Sequence, residues 1–336
     1  MLPLSKIYEP IQQDLAKVED MMKSASQADL SWLPKQLAHD LKGSGKLAEL
    51  LTYSLKGRGK RIRPALTLLS GKSYKYNLDC LLPMATAVEI MHTATLVHDD
   101  AIDNSSVRRG RPTINKVWDD DKAILLGDYL FAKAGELAAT TQNLQVIKLF
   151  SQTLMTITSG ELAQSFDAFN LEQTRQHYLH RIISKTASLF SLATESGAIL
   201  SQAPGKSVKA LKEYGYNLGI AFQIVDDIMD FIGTEEEIGK PIGSDLAQGT
   251  LTLPAMLLWE RYPENNPVKE LFQNRDRQKN IKLAIELVHN SSIIQECYTI
   301  ASDYCAKACR NLNLLPENAS RQSLINLADY VIERKR

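Results

Sequence analysis

The sequence predicts an all-α protein that folds as one large domain over residues 1–336, and three observations support this prediction. Apolar residues recur at three- and four-residue steps along most of the chain, as they do from Leu4 to Met22. No segment of the sequence shows the sustained alternation of apolar and polar residues that is typical of strands. The breaks rich in Gly, Pro and Asn are too short to link separate domains.

The helical period returns in eight further segments, which give the order of the predicted helices. They are residues 47–70, 81–103, 122–139, 144–168, 186–202, 208–231, 251–259 and 321–336. Residues that favour turns interrupt the pattern at 57–59, 104–112, 233–243 and 262–267. We therefore expect the helices to follow one another through short loops.

Composition excludes several classes of protein. The 39 basic and 39 acidic residues balance, so no overall field favours nucleic acid or an anionic membrane. The N-terminus has no charged segment before a long apolar run, and about 18 consecutive apolar residues occur nowhere, which predicts a soluble, cytoplasmic protein without a transmembrane segment. The four cysteines lack paired CxxC spacing, so reduced thiols are favoured over a zinc site.

Two aspartate-rich motifs are the most informative feature of the chain. Residues 99–103 read DDAID at the end of an apolar helix, and residues 226–230 read DDIMD in another. Asp99 and Asp103 lie one turn apart on one helix face, where like charges repel unless a cation lies between them. Carboxylate oxygens suit Mg²⁺, which completes its shell with water and phosphate oxygens. Two such helices could hold one diphosphate through several metal ions.

Other interpretations of these motifs are weaker. A solvated helix end explains one copy about equally well, but two copies inside apolar helices make that explanation much less favoured. An EF-hand is excluded because the alternating oxygen ligands, the central Gly and the closing Glu are missing. Two clusters of basic residues, at 57–64 and 107–112, could balance the negative charge of the aspartate motifs. Arginine and lysine are the usual partners of phosphate, although a basic loop taken alone is usually a solvated surface.

Nine short segments, taken in chain order, form a specific set. They are residues 59–64 (GKRIRP), His92, 98–103 (HDDAID), 108–110 (RRG), 127–130 (GDYL), 160–161 (GE), 185–186 (KT), 222–230 (FQIVDDIMD) and 239–246 (GKPIGSDL). This set resembles the trans-isoprenyl diphosphate synthases, the polyprenyl synthetase family. The resemblance implies antiparallel helices around a deep central cavity, usually in a homodimer. It also implies a prenyltransferase that joins isopentenyl diphosphate to an allylic diphosphate.

The resemblance implies a role for each matching side chain. Magnesium, three ions in each active site, would be bound by Asp99, Asp103 and Asp226, with Asp100, Asp227 and Asp230 supporting them directly or through water. Arg108, Lys185 and Lys240 would hold the allylic diphosphate, while Lys60, Arg63, His92 and Arg109 would hold isopentenyl diphosphate. Thr186 and Gln223 would line the reacting carbons. The six aspartates and Lys185 are the catalytic candidates. The chain departs from the family at Thr250, where many members have a phosphate-binding Lys.

Product length is predicted from the side chains that precede the first motif. Residues three to five positions before Asp99 point down the helix from it. Ala94 with Thr95 leaves room where resembling enzymes with short products commonly have an aromatic ring, and Met91 is not aromatic either. We expect a product of about 30 carbons or more, grown on farnesyl or geranylgeranyl diphosphate. The nearest alternatives are a geranylgeranyl diphosphate synthase, or an Ala94 that only packs against a neighbouring helix.

Two other kinds of protein stay open at this point. A terpene cyclase or head-to-head synthase would also use metal-bound aspartates, but it would not need Lys60 and Arg63 for isopentenyl diphosphate. A non-catalytic partner subunit of a heteromeric synthase would have no reason to keep repelling carboxylates in apolar helices. Peripheral membrane contact during product release is a further expectation. The C-terminal residues 333–336 either cap the phosphate site or form a solvated tail, and the tail is the favoured interpretation.

Overall fold

The structure, a computed structural model, describes residues 2–27, 30–31, 34–36, 39, 45–57, 59–234 and 241–334. Lys240, a predicted phosphate ligand, and Arg58 of the basic loop lie outside the described residues.

The described chain is almost entirely helical, which confirms the predicted fold class. The helices are α1 (Leu4–Ile7), α2 (Gln12–Ala25), α3 (Lys46–Leu55), α4 (Ile62–Lys72), α5 (Leu78–Ile102), α6 (Ile114–Val117), α7 (Asp120–Ala139), α8 (Leu144–Phe166), α9 (Arg175–Ile182), α10 (Ser188–Leu200), α11 (Gly205–Ile232), α12 (Ser244–Ala247), α13 (Leu253–Arg261), α14 (Pro267–Phe272), α15 (Arg277–His289), α16 (Ile293–Asn311) and α17 (Ala319–Glu333). A π-helical turn covers Ile183–Ala187, and 3₁₀ turns cover Glu9–Ile11 and Leu312–Leu314.

The structure differs from the predicted helices in three ways. The segment from Leu4 to Met22, expected to be one helix, is α1, a 3₁₀ turn and α2. The segment 47–70 is two helices, α3 and α4, separated at the Gly57 turn. Helices α9, α14, α15 and α16, and the short helices α6 and α12, were not predicted. Local capping specifies α9: the Thr174 hydroxyl accepts from the His177 N–H, and the Thr174 N–H donates to the His177 ring.

A small β-hairpin replaces part of the predicted turn at 104–112. Strands β1 (Val107–Arg108) and β2 (Arg111–Pro112) are antiparallel, with Arg108 opposite Arg111. Both residues of the connecting loop have positive φ, 52° at Arg109 and 72° at Gly110, which is the backbone of a tight hairpin turn. The hairpin follows the first aspartate motif directly and turns Arg108 back toward it.

Two hydrophobic clusters form the core. The larger includes Leu66, Ala94 and Tyr214, and the smaller includes Tyr178 and Phe231. Helix α11 contributes buried side chains to both clusters. That helix therefore connects the two halves of the core, while the prediction of a single domain stays a prediction.

Helix α5 is the core helix that presents the first aspartate motif. It packs closely on α7 because Gly127 has no side chain: a Cβ there would lie 2.1 Å from the His98 ring. His98 Nε2 lies 2.9 Å from the Ile124 carbonyl oxygen, and its ring meets Phe131 edge to face. These contacts fix the helix end on which Asp99 stands.

Helix α5 is also the one described helix that is long and apolar enough to cross a membrane. Within the fold, 67% of its apolar window is buried. Its apolar surface is therefore used for packing inside the protein.

The residues of the predicted site lie at one end of the fold. Helices α5, α8 and α11 all reach it with their C-terminal turns, and α10 begins there after the π-helical turn. Asp99, Glu161 and Asp226 lie on α5, α8 and α11, and Lys185 lies on the π-helical turn before α10. The topology therefore brings both aspartate motifs and the cations between them to the same end.

Candidate active site

Lys185 joins two acidic helix ends at the centre of the site. Its ammonium lies 3.0 Å from Asp99 Oδ2 and 2.8 Å from Glu161 Oε1. Burial lowers the pKa of Lys185, but the carboxylates of Asp99 and Glu161 outweigh that effect and raise it above its ordinary value. Lys185 therefore remains charged and holds the ends of α5 and α8 together.

The backbone around Lys185 is unusual. Residues 183–187 form a π-helical turn between α9 and α10. Such turns are rare in proteins, and many of those that occur lie at functional sites. The Ser184 side chain packs against Gly160 so closely that a Cβ at Gly160 would lie 2.4 Å away. The small residue lets the Lys185 turn approach the end of α8, where Glu161 follows Gly160.

Asp100 faces the hairpin. Arg108 donates to Asp100 Oδ1 through Nε at 2.7 Å. Burial raises the pKa of Asp100, and Arg108 partly offsets that increase. Asp103, the third carboxylate of the motif, is exposed at the C-cap of α5. The hairpin thus places Arg108 beside the first motif, as the sequence predicted.

Asp226 of the second motif is paired with the C-terminus of the chain. The Arg334 guanidinium donates to Asp226 Oδ1 at 2.6 Å and to the Phe222 carbonyl at 2.8 Å. The Arg334 side chain is only 7% exposed. The interpretation of the C-terminus as a solvated tail is therefore wrong at Arg334, because the guanidinium finds a carboxylate and an aromatic ring at the end of α11.

Asp227 lies in a buried hydrogen-bonded chain. Tyr178 donates to Asp227 Oδ2 at 2.8 Å, and Gln223 donates through Nε2 to Oδ1 at 2.9 Å. Thr186 in turn donates to Gln223 Oε1 at 2.6 Å. Burial, followed by the charge of Asp245, raises the pKa of Asp227 to about 7. This series of hydrogen bonds, which joins Thr186, Gln223, Asp227 and Tyr178, fixes the Gln223 amide beside the turn that contains Lys185.

Asp230 closes the loop after α11. The Ser244 hydroxyl donates to Asp230 Oδ1 at 3.0 Å, and the Asp245 N–H donates to Oδ2 at 3.1 Å. The Asp230 side chain is fully buried. Of the second motif, Asp226 is thus the carboxylate that remains half-exposed, at 43%.

The basic group lies on the other side of the site. The Arg63 guanidinium lies 5.1 Å from the Phe190 ring centroid, and its buried Nε has no partner among the residues that the structure describes. Burial lowers the pKa of Arg63 to about 10. Burial, followed by the charges of Arg63 and Arg109, lowers the pKa of His92 well below its ordinary value. A neutral imidazole therefore lies among arginines.

Lys60 and the chain-length candidates complete the predicted set. Lys60 is exposed, with its ammonium 5.8 Å from the Tyr330 ring centroid. Ala94 and Met91 are fully buried on α5, and Thr95 is partly buried with its hydroxyl donating to the His92 carbonyl at 2.8 Å. The assignment of these residues to product length stays a prediction.

The chemistry of the site fits a divalent cation, although the carboxylates are not assembled around one. The residues that the structure describes contain no group of three His, Cys, Asp or Glu side chains close enough to hold a metal. The carboxylates of Asp99 and Asp226 instead meet cations of the chain itself, Lys185 and Arg334. These aspartates supply the hard oxygen donors that Mg²⁺ prefers, and an incoming ion would compete with two internal cations.

Sequence reasoning missed several residues of the site. Glu161 was noticed only within a family segment, without a role. Tyr178 is far from the motifs in sequence, and nothing in its local pattern indicates that it reaches Asp227. Arg334 was considered only as part of a C-terminal cap, the less favoured interpretation, and its contact with Asp226 was not predicted. A surface pocket of about 800 Å³ carries no comparable chemistry. Its lining includes Asn143 and Gly205, at the far ends of α8 and α11 from the aspartates.

Helix ends rich in carboxylates, set against a cluster of basic side chains, define a class of all-α enzyme that acts on diphosphates. Residues 44–294 match the polyprenyl synthetase family. The chain belongs to this family and is a prenyltransferase.

Individual relatives agree with this assignment. The chain is 39% identical over 289 residues to heptaprenyl diphosphate synthase component 2 of Bacillus subtilis, a match that covers 86% of this chain and 83% of the relative. It is similar to the crystal structure of a decaprenyl diphosphate synthase from Rhodobacter capsulatus, with a TM-score of 0.89, 35% identity, and coverage of 99% of this chain and 100% of that one. A polyprenyl synthase from Caulobacter crescentus, solved with calcium and isoprenyl diphosphate, gives a TM-score of 0.91, 30% identity, and coverage of 99% and 98%.

Proposed function

We propose that the protein is a Mg²⁺-dependent trans-polyprenyl diphosphate synthase. It adds isopentenyl diphosphate repeatedly to an allylic primer, such as farnesyl or geranylgeranyl diphosphate, and its product has about 30 carbons or more. The supporting observation is that two chemically different clusters of side chains lie at one end of the fold. One contains carboxylates and Lys185, which suits a metal-bound diphosphate. The other contains the unpartnered Arg63 Nε beside a neutral His92, which suits a diphosphate bound without metal.

Three Mg²⁺ ions are proposed for each active site, with Asp99, Asp103 and Asp226 as ligands. When bound, these ions would supply positive charge that stabilises a departing diphosphate. Arg108 and Lys185 lie beside the first motif and would neutralise the remaining oxygens of the allylic diphosphate. Lys240 would join them from the segment outside the described residues.

The second diphosphate is assigned to Lys60, Arg63, His92 and Arg109. Because the His92 imidazole is neutral, it can donate one hydrogen bond without adding a fourth positive charge. The Arg63 fork retains an unused donor in Nε. These groups would orient isopentenyl diphosphate so that its double bond faces the ionising allylic carbon.

The reaction uses the chain's residues mainly for positioning and charge. The allylic carbon–oxygen bond breaks, the double bond of isopentenyl diphosphate forms the new carbon–carbon bond, and loss of a proton restores an alkene. Thr186 and Gln223 are fixed by the hydrogen bonds that end at Asp227, so they present oriented dipoles near the reacting carbons. The departing diphosphate is the proposed acceptor of the proton.

Chromatography of labelled products tests this function. The purified protein is incubated with Mg²⁺, labelled isopentenyl diphosphate and primers of 10, 15 or 20 carbons. We expect products of about 30 carbons or more from the longer primers. A product that stops at 15 or 20 carbons contradicts the length and supports the geranylgeranyl alternative. Cyclic or head-to-head products without label contradict the proposed reaction.

We further propose that two copies associate through α7 and α8. Large apolar side chains are exposed along α8, including Leu162 at 62% and Phe166 at 84%, and Leu125 of α7 is 66% exposed. The formal net charge is zero, so no overall repulsion opposes a second copy. A patch on two neighbouring helices can pair with itself about a two-fold axis.

Light scattering distinguishes the oligomeric states. The wild-type protein should have twice the chain mass, and Leu162→Glu with Phe166→Glu should yield monomers. Leu314→Glu, at an exposed site elsewhere, is the matched control. A monomeric, inactive wild type that gains activity only with another subunit would support the heteromeric alternative, which the component 2 name of the Bacillus relative keeps open.

One domain over residues 1–336 remains part of the proposal, supported by the shared helix α11. Cytoplasmic location and peripheral membrane contact for product release remain predictions.

A further inference from the structure

Among the described cations of the basic loop (residues 57–64), Arg61 is the one that has no assigned role in binding substrate. Its Nη1 donates to Glu89 Oε1 at 2.7 Å, and its Nη2 donates to Glu19 Oε2 at 3.1 Å and to the Gly57 carbonyl at 3.0 Å. Its Nε donates to the second oxygen of Glu19. Four of the five N–H donors of Arg61 therefore go to carboxylates and the backbone, which leaves only one Nη1 hydrogen without an assigned partner.

The backbone of Arg61 has a conformation that is unfavourable for an arginine without stabilising contacts. Its φ is +50°, in the left-handed region that disfavours residues with a Cβ. Arg61 is the N-cap of α4, so this conformation sets the direction in which Ile62 and Arg63 leave the loop. The bonds from its side chain are what hold the backbone in that conformation.

Glu89 is the buried anion on which this arrangement depends. It is 6% exposed and stands on α5, one turn before His92. Its charge raises the pKa of Arg63 and of Arg109, against the effect of burial, so it attracts both arginines of the proposed isopentenyl diphosphate site. Without diphosphate, Glu89 is the counter-charge that lets these guanidinium groups remain close together.

The three segments meet at Gly59. A Cβ built there would lie 3.4 Å from Arg109 Nη1 and 3.5 Å from both Arg61 Nη1 and Glu89 Oε1. The Tyr8 hydroxyl fastens the same loop by donating to the Lys60 carbonyl at 3.0 Å. The loop, the hairpin and α5 thus meet at one point, where Arg61 and Glu89 lie beside Arg109, a residue of the proposed isopentenyl diphosphate site.

We infer that Arg61 and Glu89, with Glu19, form a clamp that positions Lys60 and Arg63 for the diphosphate of isopentenyl diphosphate. This inference rests on the proposed function and adds to it positioning residues that make no contact with substrate. The clamp fixes the basic loop against α2 and α5 before substrate arrives. Its effect is therefore specific to the metal-free diphosphate site and spares the allylic site.

Steady-state kinetics of Arg61→Lys tests the clamp, because Lys keeps the charge but cannot form the forked contacts. We expect the KM for isopentenyl diphosphate to rise about tenfold, with the KM for the allylic primer within twofold of wild type. The matched control is Arg175→Lys, which breaks a similar fork to Glu260 between α9 and α13 and should change neither KM. An unchanged KM for isopentenyl diphosphate, or an equal rise for both substrates, overturns the inference.

Two further measurements separate this inference from the proposed function. Calorimetry with inorganic diphosphate in chelator does not depend on turnover: Arg61→Lys should weaken binding about tenfold, and unchanged binding overturns the clamp. Failure of the wild type to incorporate isopentenyl diphosphate would overturn the proposed function alone. If Arg61→Lys does not fold, Glu19→Gln is used instead, because the Glu19 side chain is 40% exposed and its replacement should be tolerated. Glu19→Gln should raise the KM for isopentenyl diphosphate two- to fourfold. A wild-type KM in this variant overturns the clamp.

Discussion

Arg334 and Asp226 form an ion pair of 2.6 Å that connects the last turn of the chain to the second aspartate motif. The guanidinium carbon also lies 4.0 Å from the Phe222 ring centroid. A cation of the protein therefore occupies the immediate surroundings of a carboxylate that we assign to Mg²⁺.

Arg334→Gln should lower the Mg²⁺ concentration that gives half-maximal activity about two- to fivefold. The reason is that the metal no longer competes with a guanidinium for the Asp226 oxygens, and each 1.4 kcal/mol of competition corresponds to a factor of ten. Initial rates over a Mg²⁺ titration provide the measurement. Arg321→Gln, on the same helix and paired with Glu317, should leave the titration unchanged. A higher Mg²⁺ requirement in Arg334→Gln would show that Arg334 assists metal binding.

Lys185→Met should reduce kcat by about 10²- to 10³-fold, the usual cost of removing one preorganised charge from a reacting centre. The variant leaves Asp99 and Glu161 facing each other without the cation between them. Single-turnover rates at saturating substrate measure the loss. Lys212→Met, which breaks a pair with Glu195 toward the other end of α10, is the control. A wild-type rate in Lys185→Met would remove Lys185 from the catalytic set.

Ala94→Phe should shorten the main product to 20 carbons or fewer, because the ring fills the space below the first motif. Thin-layer or liquid chromatography of the products shows the change. Ala85→Phe is a demanding control, since Ala85 is equally buried on α5 but nine residues away, which places it on the opposite helix face. It should reduce stability without changing product length. An unaltered length in a folded Ala94→Phe would mean that another residue sets the limit.

The position of His92 among arginines predicts a pH dependence of stability. Because its folded pKa lies below its unfolded value of about 6.5, the unfolded chain binds more protons below that pH. The contribution of His92 is present above about pH 6.5 and is lost as the pH falls. Urea unfolding at pH 7.5 and 5.5 should show a decrease that is smaller in His92→Gln, by on the order of 1 kcal/mol. His180→Gln, at an exposed position, should keep the wild-type slope; a wild-type slope in His92→Gln would contradict the prediction.

The sequence predicted the fold class and the elements that bear the motifs because both depend on local signals. Apolar periodicity located α5 and α11 closely, and the spacing of Asp99 and Asp103 on one turn needs only helix geometry. The start of α7 depends on a local signal too, since Asp119 caps it by accepting from the Lys122 N–H at 2.8 Å.

The remaining parts of the site depend on contacts between distant segments. The sequence spacing of Asp226 and Arg334 is 108 residues and that of Asp227 and Tyr178 is 49, so no periodic pattern could connect them. In the same way, no local sequence signal distinguishes Arg61 from Arg63. Arg61 donates hydrogen bonds to two glutamates, whereas Arg63 Nε has no partner among the described residues. Equivalent-looking cations receive different roles only when tertiary packing assigns their partners.

The meeting of three helix C-termini at one end of the fold has an electrostatic consequence. The negative ends of the α5, α8 and α11 helix dipoles point toward the site, and their partial charge adds to that of the carboxylates already there. A bare diphosphate approaching this side of the cleft would be repelled, whereas one carrying divalent ions would be attracted. Under the proposed function, the helix dipoles would therefore favour entry of the allylic substrate as its magnesium complex. Isopentenyl diphosphate would enter separately from the arginine-rich side.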